Sequence, residues 1–479
     1  MKPTQIDSMN PPTPDASGFN RRDFLKGGSF ATLMAMMGGV QLLAPVDEAR
    51  AEESKEPKFK LKFGVIGLGA WGREMLDQLG RTPEAQIVAV CDHYPASLKR
   101  GGSKAPDAAQ IADYKELLAN KDVQAVIVAT PTHLHKDIVL AALAAGKHVY
   151  CEMPLAHTIE DAKAIAMAAK NSVGQFFQSG LQMRCDPQRQ WLSPHIRTGV
   201  LGKPVMARSQ WHKKQSWRVP SPNPTREIEL NWRLDPKLSL GLAGEVSLHL
   251  LDQAGWFFLN KLPVAVTGHG AIAHWKDGRE VADTAQVQLE YPGGVQLSHD
   301  VTLACSFDAE HEIYFGNETT VMMRDGNAWM FKEVDAPLLG WEVYARRDEF
   351  YKATGIALVA GGSKQTSLTG GSSSAFPFPP LYYALDAFLK NCAELNASVE
   401  DFNTNFPGGD KQALKEYLAS AARPTGQEVS PTATAAENVI RFAPRQDVGF
   451  AATVLAIKAN EAVVKGRRIE LPKEIFELA

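Results

Sequence analysis

Two groups of residues in this sequence carry the means to do chemistry. The first is Gly67-x-Gly69-x-x-Gly72, a spacing that lets backbone N–H groups come close to a phosphate at the start of a helix. The second is Glu245, His249 and Asp252, at i, i+4 and i+7, which share one face of a helix while leucines 248, 250 and 251 pack behind it. An acid four residues from a histidine can orient the imidazole and tune its basicity, so His249 is the candidate base and Glu245 its partner. The same spacing also suits a solvated polar face or a metal site. No further ligand cluster accompanies it, and no metal is expected.

The elements around these residues have to hold them in place. A β-type run at residues 62–66 empties into the glycine triplet, and Met75, Leu76 and Leu79 follow at helical spacing. Gly67 permits the tight turn, Gly69 the approach of a pyrophosphate, and Gly72 close packing of helix on strand. Leu68, Ala70 and Trp71 fill the rest of the cofactor-binding loop. A second apolar strand, 86–91, ends in Asp92 at about the 20-residue spacing of an acid that takes ribose hydroxyls and repels a 2′-phosphate, which favours NAD over NADP. Asp92 also suits a plain loop cap. Strand 123–129 runs into Thr130-Pro131-Thr132-His133-Leu134-His135, and after a helix at 137–145 strand 147–151 ends at Glu152-Met153-Pro154. Alternating strands and helices predict an α/β domain at 62–184, a Rossmann doubly wound parallel sheet whose ligand lies beyond the carboxyl ends of its strands.

After Arg184 the pattern changes. A helix is predicted at 191–201 and a strand at 203–213. Apolar hairpins follow at 285–303 and 311–332, which predicts a C-terminal α+β domain at 185–479 with an open, mainly antiparallel sheet. Residues 361–380 and 402–440 read mostly as loop. Trp191, Trp211, Trp217, Trp232 and Trp256 crowd one segment with His212, Arg218, Asn231 and Arg233. Flat rings stack on sugar faces while Asn and Arg reach hydroxyls, so a carbohydrate ligand is expected. Each ring taken singly also suits a core, Trp256 above all.

The chain has 479 residues, 44% apolar and 22% charged with a net charge of −3, which is globular and offers no basic field for nucleic acid. Arg21-Arg22-Asp23-Phe24-Leu25-Lys26, a modestly apolar run at 29–45 and Ala49-Arg50-Ala51 read as a twin-arginine signal peptide over residues 1–51, with 52–61 as linker. A periplasmic or otherwise exported protein follows, a client of the twin-arginine export machinery with no stable membrane anchor. The five cysteines are odd in number and widely spaced, which predicts buried free thiols.

The glycine fingerprint, Asp92, Thr130-Pro131-x-x-x-His135, Gly146-Lys-His-Val-x-x-Glu152-x-Pro154 and Gln178-x-Gly180-x-Gln182-x-Arg184 together resemble the Gfo/Idh/MocA oxidoreductase family, over almost all of the chain beyond the leader. The resemblance implies that Thr130, Pro131, His135, Glu152, Met153 and Gln182 line the nicotinamide and ribose part of an NAD site. It also implies that an acid and a histidine four apart on one helix serve the carbon that exchanges hydride; with the aromatic segment, Arg184, Trp211, Trp232, Arg233 and Asp252 are expected to face a small-molecule carbohydrate. Two positions depart from that pattern: the acid is Glu245 rather than Asp, and Met153 stands where the family has a lysine. Methionine supplies neither proton nor charge to a developing alkoxide. Three readings follow: an NAD-dependent sugar or polyol oxidoreductase with a tightly bound nucleotide, a redox-neutral hydrolase similar to the NAD-dependent glycoside hydrolases of family 109, or a binding protein without turnover. An exposed open sheet suits a homo-oligomer.

Overall fold

A computed structural model of the chain describes residues 59–221, 223–324, 327–337, 349–351, 354–360, 376–421 and 443–478. The leader, linker residues 52–58, and residues 361–375 and 422–440 of the two expected loops lie outside the described residues.

Strands β1 (Leu61–Ile66), β2 (Ala85–Cys91), β3 (Ala109–Ile111), β4 (Ala125–Val128), β5 (His148–Cys151) and β6 (Phe177–Ser179) form a six-stranded parallel sheet in the order β3-β2-β1-β4-β5-β6. Helices α1 (Ala70–Leu79), α2 (Pro95–Gly102), α3 (Tyr114–Ala119), α4 (His135–Ala144) and α5 (Ile159–Asn171) make the crossovers. Strands β4 and β5 are buried at every position, the unbroken apolar run of a sheet covered on both faces. The order reverses between β1 and β4, so their carboxyl ends splay apart and open the crevice in which a doubly wound sheet binds its ligand.

The second half contributes α6 (Pro187–His195), β7 (Pro204–His212), α7 (Pro224–Leu230), α8 (Gly241–Glu245) and α9 (Leu248–Gln253). Strands β8 (Ala265–Ala271), β9 (Thr284–Glu290), β10 (Gln296–Thr302), β11 (Glu310–Gly316), β12 (Thr319–Arg324), β13 (Asn327–Glu333), β14 (Glu349–Tyr351) and β15 (Thr354–Ala360) follow. With β16 (Ile469–Glu470) they build a ten-stranded sheet in the order β14-β15-β13-β12-β11-β7-β10-β9-β8-β16, antiparallel throughout except for β7 beside β10. Alternation in β9 explains its single buried face: Ala285, Val287 and Leu289 point to the core.

The boundary at residue 184 is less clean in space than in sequence. Helix α10 (Pro380–Asn405) returns to the first domain, where Phe388 lies 6.1 Å from the Phe63 ring and 5.8 Å from Tyr150. It also runs through 402–405, and α11 (Lys411–Ala421) follows as a short helix within the stretch expected to be mostly loop. Helix α12 (Gln446–Lys465) lies between α5 and β8 and joins the two cores. A side chain at Gly449 would place its Cβ 1.9 Å from Ser179 Oγ, which is why α12 needs glycine where it meets β6. All five cysteines are free, and only Cys305 is exposed.

Candidate functional site

The glycine turn has the shape of a phosphate cradle. Gly67 adopts φ +95, and a Cβ there would meet the Ala129 and Thr130 backbone at 2.7–2.8 Å. At Gly72 a Cβ would fall 1.9 Å from Gly67 O, so helix and strand touch there. Gly69 has open space around its Cβ position. No side chain caps α1 and no acid sits in its first turn, so its leading N–H groups stay available to an anion. Ala70 and Trp71 are exposed on this rim, whereas Leu68 is fully buried and its N–H is already committed to Asp92 Oδ2 at 2.9 Å. Asp92 also accepts from Tyr94 N at 2.8 Å. The carboxylate thus caps the loop and ties the glycine turn to the end of β2.

At the ends of β4 and β5, Thr130 Oγ1, His133 Nδ1 and Glu152 Oε1 are buried polar atoms with no hydrogen-bond partner, and on α9 His249 Nδ1 is likewise unpartnered. Buried polar groups are normally satisfied, so such a cluster marks a place where a polar ligand belongs. Desolvation pushes the Glu152 carboxyl up to about 7, against the opposing pull of the Trp71 indole and the Met153 N–H. The orphaned atoms and the open cradle fit a dinucleotide laid across β2, β1, β4 and β5. Pro131 and Gln182 are half-buried, on the turns that follow β4 and β6. Met153 is 7% exposed and packs into the apolar core, offering no polar group.

His135 shapes this site from behind. It is 1% exposed, with Nδ1 3.0 Å from Pro154 O and Nε2 2.9 Å from Thr130 O. Burial lowers its pKa to about 4, against the opposing pull of the Thr130 and Pro154 carbonyls, and the neutral ring donates its single N–H to one of these two carbonyls while packing against the other. His135, expected to line the cofactor site, thus sits beneath the strand ends.

The helix expected through residues 245–252 is broken. Helix α8 stops at Glu245, α9 starts at Leu248, and Leu242 O accepts from both Val246 N (3.3 Å) and Ser247 N (3.1 Å) as well as from Ser247 Oγ. This wide i→i−5 step takes His249 off the face it would share with Glu245 on a regular helix. Glu245 Oε1 accepts from Leu240 N at 3.0 Å and Oε2 from Thr132 Oγ1 at 2.9 Å, so the acid bridges the domains instead of gripping His249. Burial raises its pKa, with Arg233, the Leu240 N–H and the Thr132 hydroxyl opposing. For His249, burial lowers the pKa to about 4, opposed by the charge of Asp252. The imidazole is therefore neutral at physiological pH and keeps a lone pair free to accept a proton.

Several side chains expected to face the substrate already have protein partners. Arg184 and Asp252 form a bidentate pair at 2.7 and 2.8 Å, 17% and 8% exposed, with the guanidinium 5.2 Å over Trp256, so each is committed to the other. Trp211 packs in a small apolar cluster with Leu242, Val301 and Leu303. Trp232 is 6% exposed, edge-on to His133 at 5.8 Å, with Arg233 lying 4.5 Å over its ring. Its ring face is covered by Arg233. Arg233 keeps solvent access although desolvation by the protein around it lowers its pKa, which describes a side chain standing in a cleft. The Trp191 side chain lies outside the described residues. Two residues here had no signal in the sequence: Thr132, whose hydroxyl donates to Glu245, and His157, 6.3 Å from His133 with its own Nδ1 unpartnered.

Comparison with known proteins gives the same picture. Residues 61–179 match the model of an oxidoreductase family with an NAD-binding Rossmann fold, and residues 190–327 match the GFO/IDH/MocA C-terminal domain. Inositol 2-dehydrogenase of Salmonella paratyphi B is 34% identical over 148 residues, which is 30% of this chain and 44% of that protein. The inositol 2-dehydrogenase of Burkholderia multivorans is 37% identical over 330 residues, 65% of this chain and 89% of that one. Among solved structures, a levoglucosan dehydrogenase in complex with NADH and L-sorbose superposes with a TM-score of 0.61 at 18% identity, covering 86% of this chain and 99% of its own.

Proposed function

The chain belongs to the GFO/IDH/MocA oxidoreductase family, and on that premise we propose that it is an NAD-dependent oxidoreductase acting on a sugar, polyol or glycoside, exported with its nucleotide already bound. The observation that carries this reading is the cluster of orphaned polar atoms on Thr130, His133, Glu152 and His249, beside a glycine turn open for phosphates. Bound NAD supplies the hydride acceptor. Gly69 and the start of α1 take the pyrophosphate, Asp92 the adenosine ribose, and Thr130 and Glu152 the nicotinamide side. His249, neutral and half-buried, accepts the proton of the substrate hydroxyl as its carbon is oxidised, and Arg233 donates to neighbouring hydroxyls. Glu245 and Thr132 hold the two domains at the spacing this needs.

Met153 favours a second reading. Without an ammonium to steady an alkoxide, and in a compartment with no NAD pool, a redox-neutral cycle of oxidation, elimination, hydration and reduction would spare the enzyme net turnover of cofactor. One experiment separates the two. Purified protein is incubated with inositols, aldoses and aryl glycosides while NADH absorbance and aglycone release are followed. Net NADH formation with sugars or polyols supports the oxidoreductase, and aglycone without net NADH supports the hydrolase. Turnover undiminished in His249→Ala would refute the assigned base under either reading. A second copy of the chain packed on the open face of the ten-stranded sheet is the oligomer we expect, to be checked by sedimentation.

A further inference from the structure

The second domain touches the first at two separated places along the cofactor path. One is the nicotinamide side, where Glu245 meets Thr132 and Trp232 meets His133. The other lies at the end of β2, at the two residues that follow Asp92. There Arg226 of α7 lies 4.1 Å over the ring of Tyr94, and its Nη1 donates to Glu229 Oε2 at 2.8 Å. Glu229 Oε2 is in turn 3.2 Å from His93 Nε2.

Arg226 Nη1 also lies 3.4 Å from His93 Nε2, so the contacts that hold α7 against the first domain are polar and aromatic. None of its residues is buried, and Ile228 is 71% exposed. Its own base is fixed by Asn231, which bonds Val219 N and O and Glu227 O, and by Arg218 reaching Glu227 at 3.4 Å. Yet the Arg226 side chain is only 12% exposed, because Tyr94 covers it. A helix docked by one cation–π contact and an ion-pair chain, with no apolar core beneath, can detach without unfolding either domain. In a doubly wound sheet the acid at the end of β2 marks the adenosine ribose, so α7 stands beside that end of the dinucleotide.

We propose that Arg226 and Glu229 of α7, resting on Tyr94 and His93, form a clamp that closes the adenosine end of the cofactor channel, so that NAD leaves only when α7 lifts. The proposal rests on the NAD reading above. It explains how a protein sent away from the cytoplasmic nucleotide pool keeps its cofactor, and it makes Arg226 and Tyr94 positioning residues that never touch the reacting carbon.

The test is the rate at which bound NADH is lost when purified protein is diluted into excess ADP-ribose, followed by the fluorescence of the bound nucleotide. Arg226→Ala and Tyr94→Ala should each release NADH roughly five- to ten-fold faster. The double variant should be no faster than Arg226→Ala alone, since that change already removes the stack on Tyr94 together with the bonds to Glu229 and His93. Arg226→Lys, which keeps the charge and loses the planar stack, should fall between, and Ile228→Ser should match wild type. Under saturating NAD, kcat should stay near wild type while KM for NAD rises. Unchanged release in both alanine variants, with NADH bound normally by wild type, overturns the clamp alone. A wild-type protein that binds neither NAD nor NADH overturns the cofactor reading and the clamp with it.

Discussion

Replacing Glu152 by Gln should flatten the pH dependence of stability between weakly acidic and neutral pH. Burial raises the folded-state pKa of this carboxyl from 4.5 to about 7. Below 4.5 the group is protonated in both states and Glu152 contributes no pH dependence. Between 4.5 and about 7 the unfolded chain gives up the proton while the folded protein keeps it, so stability falls as pH rises and the loss is complete above the folded value. At about 1.36 kcal/mol per pH unit, the free energy of unfolding of the cofactor-free protein drops by about 3 kcal/mol across that window through this group alone. Other groups titrate there too, so the quantity to read is the difference between wild type and Glu152→Gln in urea unfolding at matched pH. Glutamine keeps shape and polarity but cannot ionise. The wild type should lose about 3 kcal/mol relative to the variant between about pH 4 and about pH 8, and added NAD should shrink the effect as hydroxyl donors reach Oε1. Parallel curves for the two proteins would refute both the burial argument and the orphaned carboxylate on which the site rests.

His249 sets a second pH signature. With its pKa lowered to about 4 by burial, the imidazole stays neutral down to acid pH, so the acid limb of kcat/KM should fall near 4 and not near the ordinary histidine value of 6.5. Arg184→Met leaves the Asp252 carboxylate buried without its counter-charge and should cost about 3–5 kcal/mol, read by thermal or urea unfolding. The Arg184→Met, Asp252→Leu double variant should recover most of that, which would show the pair to be structural. Asp92→Ala removes the acceptor for Leu68 N and Tyr94 N and the repulsion of a 2′-phosphate. NAD should bind about ten-fold more weakly or NADP should begin to compete, measured by titration calorimetry with each nucleotide.

The first domain was legible in the sequence because its signals are local. A glycine triplet between strand and helix, unbroken apolar strands and turn residues at fixed offsets each act within a few residues. The hairpins of the second sheet were legible for the same reason. What could not be read was long-range pairing. The segment holding Glu245, His249 and Asp252 has helical periodicity, but Ser247 bonds back to Leu242 O and widens the turn, and that depends on hydroxyl geometry and not on spacing. Arg184 and Asp252 look like free polar groups until the fold brings them together across 68 residues of chain. His135 fits the cofactor-lining pattern by position, yet two carbonyls hold its ring, and no motif records that. The return of α10 to the first domain depends on Phe388 finding Phe63 and Tyr150, a contact that no local pattern encodes.

The measurement closest to the central claim is the identity of the nucleotide that the purified protein carries. Denaturing the protein and separating the released small molecules should yield near-stoichiometric NAD or NADH, and the refolded or stripped chain should rebind NAD in preference to NADP. A protein that releases no dinucleotide and binds neither form when it is supplied would contradict the account at its base.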